Sequence, residues 1–261
     1  MSEYRNISAE SLEGKGILWL LLNQPKGNVL TGEMLRELGD ALQAHRDDRR
    51  LKLVVIRGAG GNFSFGASIE EHQREQVRDM LRGFHAFVRD LASYPVPVAA
   101  LVEGRCLGGA FELALCCHFV FATPNARFGC PEIKLGVFAP VLAAIGAERL
   151  PGALAERLLL TGDEIDSATA ATAGLLTAVV DSSNPEAALI DWYRAHLASL
   201  SAFALRQATA AFRQSSGVVR ALHERLPAIE RQYLDEVVAS HDGNEGIVAF
   251  LGRRAPQWED R

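Results

Sequence analysis

The order in which short apolar runs and amphipathic runs follow one another limits this chain to a mixed α/β fold. Apolar runs of strand length occur at 4–12, 17–22, 53–56, 98–102 and 119–122. Between them lie runs with helical spacing, such as 73–91, and Thr31 is placed to cap another helix. The alternation continues to Val180, and this order predicts an α/β chain built from repeated strand–strand–helix units.

From about Asn184 onwards the pattern is helical only. Helical segments are predicted over 189–200, 203–212, 218–238 and 246–251. We therefore expect two parts, an α/β core over residues 1–195 and a helical region over 196–261.

Composition and charge exclude several classes of function. The net charge of −5 argues against a nucleic-acid binder, because such proteins need a basic surface to displace counterions from phosphates. No apolar run reaches roughly 18 residues, so no membrane span is predicted. Residues 1–6 lack the charged-then-apolar pattern of a secretion signal, and the four cysteines form no CxxC pair. We expect a cytoplasmic protein with reduced thiols, no metal site, and His118 as a hydrogen-bonded core histidine.

Two carboxylates stand in apolar, glycine-marked surroundings. Glu112 lies in Gly-Gly-Ala-Phe-Glu-Leu-Ala-Leu, and Glu132 lies in Phe-Gly-Cys-Pro-Glu-Ile. Desolvation disfavours the charged form of a glutamate and raises its pKa toward the range useful for proton transfer at neutral pH. Each also has a structural alternative. Glu112 could pair with Arg105 or Arg127, and Glu132 could simply occupy the first turn of a short helix.

Two loops are candidate anion sites. The segment 62–68 lies between a buried strand and a helix, and the glycine turn 104–109 opens the helix that carries Glu112. Free amides at a helix N-terminus attract negative charge. The alternatives are an ordinary turn with Ser68 as a helix cap, and close strand–helix packing at the glycines.

Taken together, three segments resemble the crotonase (enoyl-CoA hydratase/isomerase) superfamily. They read Phe-Ser-Phe-Gly-Ala-Ser, Gly-Arg-Cys-Leu-Gly-Gly-Ala-Phe-Glu-Leu-Ala and Phe-Gly-Cys-Pro-Glu-Ile-Lys-Leu-Gly, and the resemblance extends over nearly the whole chain. It implies a spiral of strand–strand–helix turns with a helical C-terminal trimerisation region, assembled as a homotrimer or a dimer of trimers. It also implies an acyl-CoA substrate and no separate cofactor.

The resemblance assigns roles by motif position. The backbone amides of Ala67 and Gly109 would form an oxyanion hole for the thioester oxygen, while Glu112 would activate water and Glu132 would supply a proton to carbon. Further positions are expected to contact CoA or the acyl group: Lys26, Phe65, Ser68, Ile69, Phe138, Pro140, Phe250 and Arg253. Lys26, Phe250 and Arg253 are weaker candidates for CoA contacts, and the resemblance places the last two across a subunit interface.

Several positions depart from the common family pattern. Ser68 and His118 stand where aspartate is common, and Phe65, Phe138 and Pro140 add bulk that suits a flat ring better than a straight acyl chain. The loop motifs are similar to those of the cyclohexa-1,5-diene-1-carbonyl-CoA hydratases. We therefore expect a hydratase acting on a cyclic dienoyl-CoA. The alternatives are a general enoyl-CoA hydratase, an isomerase, thioester hydrolase or C–C-cleaving enzyme of the same fold, and a non-catalytic scaffold.

Overall fold

The chain opens with the predicted hairpin. The computed structural model describes residues 4–261; residues 1–3, part of the segment from which the absence of a secretion signal is predicted, lie outside that range. Strand β1 (Ile7–Leu12) runs antiparallel to β2 (Ile17–Leu22), and Leu12 is paired with Ile17 beside the turn.

The remaining strands are short and divide between two sheets. They are β3 (Leu53–Gly58), β4 (Val98–Val102), β5 (Arg105–Leu107), β6 (Phe119–Ala122), β7 (Arg127–Gly129), β8 (Glu164–Asp166) and β9 (Ala178–Val179). The larger sheet has the order β1-β2-β3-β4-β6-β9, and every pairing after the hairpin is parallel. The smaller sheet has the order β5-β7-β8.

The helices alternate with the strands as far as β9 and then continue alone. They are α1 (Gly32–His45), α2 (Val77–Ala92), α3 (Gly109–Cys116), α4 (Pro140–Arg149), α5 (Gly152–Thr161), α6 (Ser167–Thr172), α7 (Pro185–His196), α8 (Ala202–Ser215), α9 (Gly217–Glu224), α10 (Leu226–Gln232) and α11 (Asp242–Leu251). Thr31 caps α1 as predicted, because its Oγ1 accepts a hydrogen bond from the Met34 N–H at 3.2 Å. The predicted α/β architecture is confirmed.

Helices cover both faces of the larger sheet. Along β2, Leu18 and Leu20 join the large core cluster formed with α1, α2 and α3, whereas Trp19 points to the opposite cluster with Tyr193 of α7. This follows from the alternation of side chains along a strand. Because both faces are covered, β3 and β4 are almost continuous apolar runs, as expected of buried parallel strands.

The C-terminal part is less regular than the sequence indicated. The helical run predicted over 218–238 is divided into α9, α10 and a π-helical turn at Tyr233–Val237, and Pro227 lies in the first turn of α10. Proline fits that position because the first turn needs no N–H donor. The division of the chain at residue 195 stays a prediction. Across residues 4–261, none of the helices is both long and apolar enough to cross a bilayer.

Candidate active site

Two backbone amides lie side by side where α3 begins. Ala67 is held by a bridge to Leu30 after β3, and Gly109 is the first residue of α3. A Cβ atom placed on Gly109 would lie 3.5 Å from the Ala67 nitrogen. Among the residues that the structure describes, neither amide donates a hydrogen bond to a protein acceptor. The pair, with the positive end of α3 behind it, can therefore bind a developing oxyanion.

Glu112 lies in the first turn of α3 and is 3% exposed. Its Oε1 accepts hydrogen bonds from the backbone N–H groups of Val141 (2.7 Å) and Leu142 (2.8 Å). These are free donors at the start of α4, which begins with Pro140. Burial raises the pKa of Glu112, and the two hydrogen bonds oppose that rise.

The sequence alternative that pairs Glu112 with an arginine is wrong. Arg105 forms an ion pair with Glu164, and Arg127 lies 3.7 Å from Asp166. Both arginines therefore pair with acidic residues of β8, the edge strand of the smaller sheet. The partner of Glu112 is instead the N-terminus of a helix, α4.

Glu132 lies in a short 3₁₀ helix at Pro131–Leu135, with its carboxyl group against Gly108. A Cβ atom on Gly108 would stand 2.5 Å from Glu132 Oε1, so only glycine leaves room for this carboxyl. Gly108 also has a φ of +53°, which L side chains rarely adopt. Although Glu132 as a residue is partly exposed, its Oε2 atom is buried and has no hydrogen-bond partner in residues 4–261.

The two carboxyl groups are electrostatically unequal. Burial and then the charge on Glu112 raise the pKa of Glu132. Glu112 receives two N–H donors that favour its ionised form, whereas Glu132 Oε2 receives none. We therefore expect the pair to share one negative charge near neutral pH, held mainly by Glu112. One group can then accept a proton while the other donates one.

Tyr233 is a site residue that sequence reasoning missed. It begins the π-helical turn, is 1% exposed, and its ring lies edge-on to Phe138 with 5.3 Å between centroids. Burial, then the charges of Glu132 and Glu112, raise the pKa of its hydroxyl. The charges of both carboxyl groups therefore act on this hydroxyl. No local pattern identifies it, because a π-helical turn and a contact between distant segments leave no periodic signal.

A cavity of about 660 Å³ reaches the Ala67 amide. Four of the residues predicted to form the site line it, namely Phe65, Ala67, Ile69 and Phe250. Lys134 and Arg254 also line it, and the sequence analysis named neither. Within this chain, α11 and the segment after it contribute Phe250 and Arg254 to the cavity wall. The volume and mainly apolar lining are typical of a small-molecule site.

Two predicted basic contacts lie outside the cavity lining. Lys26 is exposed, next to Gly27, whose Cα lies against the Phe65 ring. Arg253 is also exposed, and its neighbour Arg254 occupies the lining position. A one-residue offset of this kind cannot be resolved from sequence, because it depends on how the chain leaves α11.

Three further predicted contacts have structural partners of their own. Ser68 is buried, and its hydroxyl accepts a hydrogen bond from the Glu71 N–H at 3.3 Å, as the helix-cap alternative anticipated. Phe138 packs against Tyr233 and does not line the cavity. Pro140 is buried at the start of α4 and is not part of the cavity lining. It therefore affects the site through Glu112.

The chain is similar to known enoyl-CoA hydratases over nearly its whole length. A family model described as enoyl-CoA hydratase/isomerase matches residues 13–261. The chain is 40% identical to a cyclohexa-1,5-dienecarbonyl-CoA hydratase of Thauera aromatica, with all of both chains covered. It is 36% identical to a 2,3-dehydroadipyl-CoA hydratase of Escherichia coli K12, covering 94% of this chain and 96% of that one. A crystal structure of an enoyl-CoA hydratase from Mycobacterium avium subsp. paratuberculosis superposes with a TM-score of 0.85 at 28% identity, over 99% and 100% of the two chains.

Proposed function

Because the chain belongs to the enoyl-CoA hydratase/isomerase family, and is a hydratase-type lyase, we propose that it hydrates a cyclic dienoyl-CoA. The proposed substrate is cyclohexa-1,5-diene-1-carbonyl-CoA and the product is 6-hydroxycyclohex-1-ene-1-carbonyl-CoA. One observation carries the chemistry: two buried carboxyl groups of unequal proton affinity lie beside two unpaired backbone amides. The full-length similarity to the Thauera aromatica enzyme supports the ring substrate.

The oxyanion site activates the thioester. Its carbonyl oxygen would accept hydrogen bonds from the Ala67 and Gly109 amides, and negative charge would collect there as water attacks. Removing one such donor typically reduces kcat by about a hundredfold or more. The amides need no reorganisation, because the start of α3 and the loop after β3 already hold them next to each other.

The two glutamates divide the proton transfers. Ionised Glu112 takes a proton from water as the oxygen bonds to the ring carbon β to the thioester. The electron pair of the broken double bond spreads through the second one as a dienolate. Protonated Glu132 then gives its proton to the far end of the diene, so the elements of one water molecule have been added. A proton must afterwards pass from Glu112 to Glu132, directly or through water, to restore the starting state.

The aromatic wall supports a ring over a straight chain. Phe138 and the edge-on Tyr233 ring lie behind the oxyanion site, in the same apolar cluster that contacts Ala67. Phe65 lines the cavity itself, and flat rings pack well on aromatic faces. The proton must travel to a carbon beyond the α position, and a ring held flat brings that carbon back toward the carboxyl pair.

The test is a direct comparison of substrates. Purified protein is incubated with cyclohexa-1,5-diene-1-carbonyl-CoA or crotonyl-CoA in heavy-oxygen water, and products are identified by mass spectrometry. We expect labelled hydroxyl on the ring and at least about tenfold higher kcat/KM for the cyclic substrate. Glu112→Gln is the matched control and should abolish label incorporation. A preference for crotonyl-CoA, or rearrangement or hydrolysis without labelled alcohol, would contradict the proposal.

A further inference from the structure

A second cavity lies between α8, the carboxyl end of α4 and the start of β6. It measures about 520 Å³ and is lined by His118, Arg149 and Arg213, with Thr209 and Ser216 among its other polar residues. We call it the arginine cavity. It is separate from the carboxyl pair: Glu112 is bound by Val141 and Leu142 in the first turn of α4 and Arg149 is its last residue, seven or eight positions or about 11 Å further along the helix.

Two guanidinium groups line this cavity, and the carboxylate beside them is engaged by another arginine. Arg213 is 5% exposed and Arg149 is half-buried. Within residues 4–261 neither forms an ion pair, and the buried Nε of Arg149 has no hydrogen-bond partner. The carboxylate that also lines the cavity, Glu148, is held by Arg225 at 3.0 Å. Arg213 also donates to the Cys116 carbonyl oxygen at 2.9 Å, which satisfies an N–H group but not the positive charge, so this arrangement favours a compensating anion.

The neighbouring thiols cannot provide that anion. Cys116 and Cys117 are the groups whose charge would favour the arginines, but both are buried. Burial raises the pKa of Cys117 to about 12, and it raises the pKa of Cys116 further. Both sulfurs therefore stay protonated and neutral at physiological pH.

His118 adds to the surplus of donors. As predicted, it is hydrogen-bonded: the Val98 N–H donates to its Nδ1 at 3.1 Å and Arg213 Nε donates to its Nε2 at 2.9 Å. Burial and the two nearby arginines lower the pKa of His118 to about 3, so the ring is neutral. A neutral imidazole accepts at only one nitrogen, so one of the two donors faces an N–H group. An acceptor from outside the chain would relieve this conflict.

The rest of the lining is apolar. It comprises Phe119, Leu197, Leu205, Phe212 and Val218. A cavity with cationic donors at one side and apolar walls elsewhere fits a compact organic anion better than a fully hydrated inorganic ion. Its volume would hold a single ring with a carboxylate substituent.

We propose that the arginine cavity is a second ligand site, which binds a small monocarboxylate with an apolar body. The carboxylate pairs with Arg149 and Arg213, and the apolar body lies against α8. The site is independent of the substrate assigned to the catalytic cavity, since no residue lines both.

Calorimetric titration of the full chain with benzoate tests the proposal. We expect saturable binding of one benzoate per chain, weakened by added salt, with benzamide, which has the same shape but no charge, failing to bind. The isotherm should be unchanged when the catalytic cavity is saturated with coenzyme A. Loss of benzoate binding on adding coenzyme A, or equal binding of inorganic phosphate, would overturn the assignment.

Two variants locate the ligand. His118→Asp places a carboxylate beside Arg213, so the arginines gain an internal partner. The affinity for benzoate should fall by about tenfold or more, and the Tm should rise. Arg149→Gln should lower the affinity for benzoate to a similar degree. If His118→Asp does not fold, Arg149→Gln alone tests whether benzoate binds in the arginine cavity. Benzoate affinity that is unaltered in Arg149→Gln would show that the ligand lies elsewhere.

Discussion

Replacing Glu132 with glutamine is expected to move activity and stability in opposite directions. Glutamine keeps the shape of the side chain but can neither ionise nor deliver a proton. In the folded protein Glu132 Oε2 is buried with no donor, and burial together with the charge on Glu112 raises the pKa of this carboxyl. The ionised form therefore destabilises the fold, whereas the protonated form is the proton donor in the proposed mechanism.

The sign and size of the stability effect follow from proton linkage. An unfolded glutamate ionises near pH 4.5, and Glu132 in the folded chain ionises at a higher pH. Between these values the folded state binds more protons, so the free energy of unfolding decreases as pH rises. Each unit of pKa difference contributes about 1.4 kcal/mol. Above the folded pKa, Glu132→Gln should therefore recover on the order of a few kcal/mol, or roughly 5 °C in Tm.

Calorimetric scans between about pH 5 and pH 9, combined with hydration kinetics, measure both effects. The wild-type Tm should fall with rising pH more steeply than that of Glu132→Gln, and the two curves should converge at the acid end. The kcat of the variant should be lower by about 10² to 10⁴, which is the usual contribution of a general acid. Glu156→Gln, at an exposed position of α5, controls for the loss of one negative charge and should change neither quantity.

The reasoning fails if Glu132 is a structural carboxylate. In that case Glu132→Gln would lower the Tm at pH 8 and above, where a stabilising ionic partner would be lost. Parallel Tm curves for the wild type and the variant across the whole pH range would also refute it, because they would mean that Glu132 has the same proton affinity in the folded and unfolded chains.

Two further substitutions test the surroundings of the carboxyl pair, each with a matched control. Gly108→Ala would place a Cβ 2.5 Å from Glu132 Oε1 and should lower kcat by about a hundredfold. The control is Gly60→Ala, at a similarly positive φ of +72° with nothing within 4 Å of the added Cβ. It should only lower the free energy of unfolding, by about 1–2 kcal/mol. Equal kcat in the two variants would contradict the assigned role of Gly108. Tyr233→Phe should lower kcat by roughly tenfold with little change in Tm, because its hydroxyl is within electrostatic reach of both carboxyl groups and forms no hydrogen bond within residues 4–261. Tyr94→Phe removes a 2.8 Å hydrogen bond to a carbonyl of α1 and should lower only the Tm, so the reverse pattern would refute the distinction.

The parts of the fold that could be predicted are those fixed by local signals. The hairpin around Gly14, the cap at Thr31 and the start of α3 at the glycine pair each depend on residues a few positions apart, and the structure has all three. The run 218–238 was predicted without its breaks, although Pro227 was a readable signal for a new helix start. The π-helical turn at Tyr233 has no such signal in the sequence. It is associated with packing of Tyr233 against Phe138 and not with a local helix propensity.

The sequence indicates which segments could form the site but not how their side chains meet. Sequence spacing places Lys134 only a few residues after Pro131, yet nothing local indicates that it shares a cavity with Arg254, 120 positions along the chain. That proximity depends on the packing of α11 against the 3₁₀ helix at Pro131–Leu135, where Gly246 lies against the Leu135 carbonyl oxygen. Contacts of such sequence separation are set by the packing of whole elements, which residue patterns do not encode one by one.

The assignment of acid and base is the clearest case of a property that exists only in the folded chain. In sequence, Glu112 and Glu132 have similar apolar, glycine-marked neighbours, so desolvation alone would raise both pKa values in the same way. The structure separates them because α4 begins with a proline and directs its next two N–H groups at Glu112. A helix N-terminus favours negative charge, so Glu112 ionises first and its charge keeps Glu132 protonated. Lengthening or shifting the start of α4 should therefore weaken catalysis without altering either glutamate, by making the two carboxyl groups equivalent.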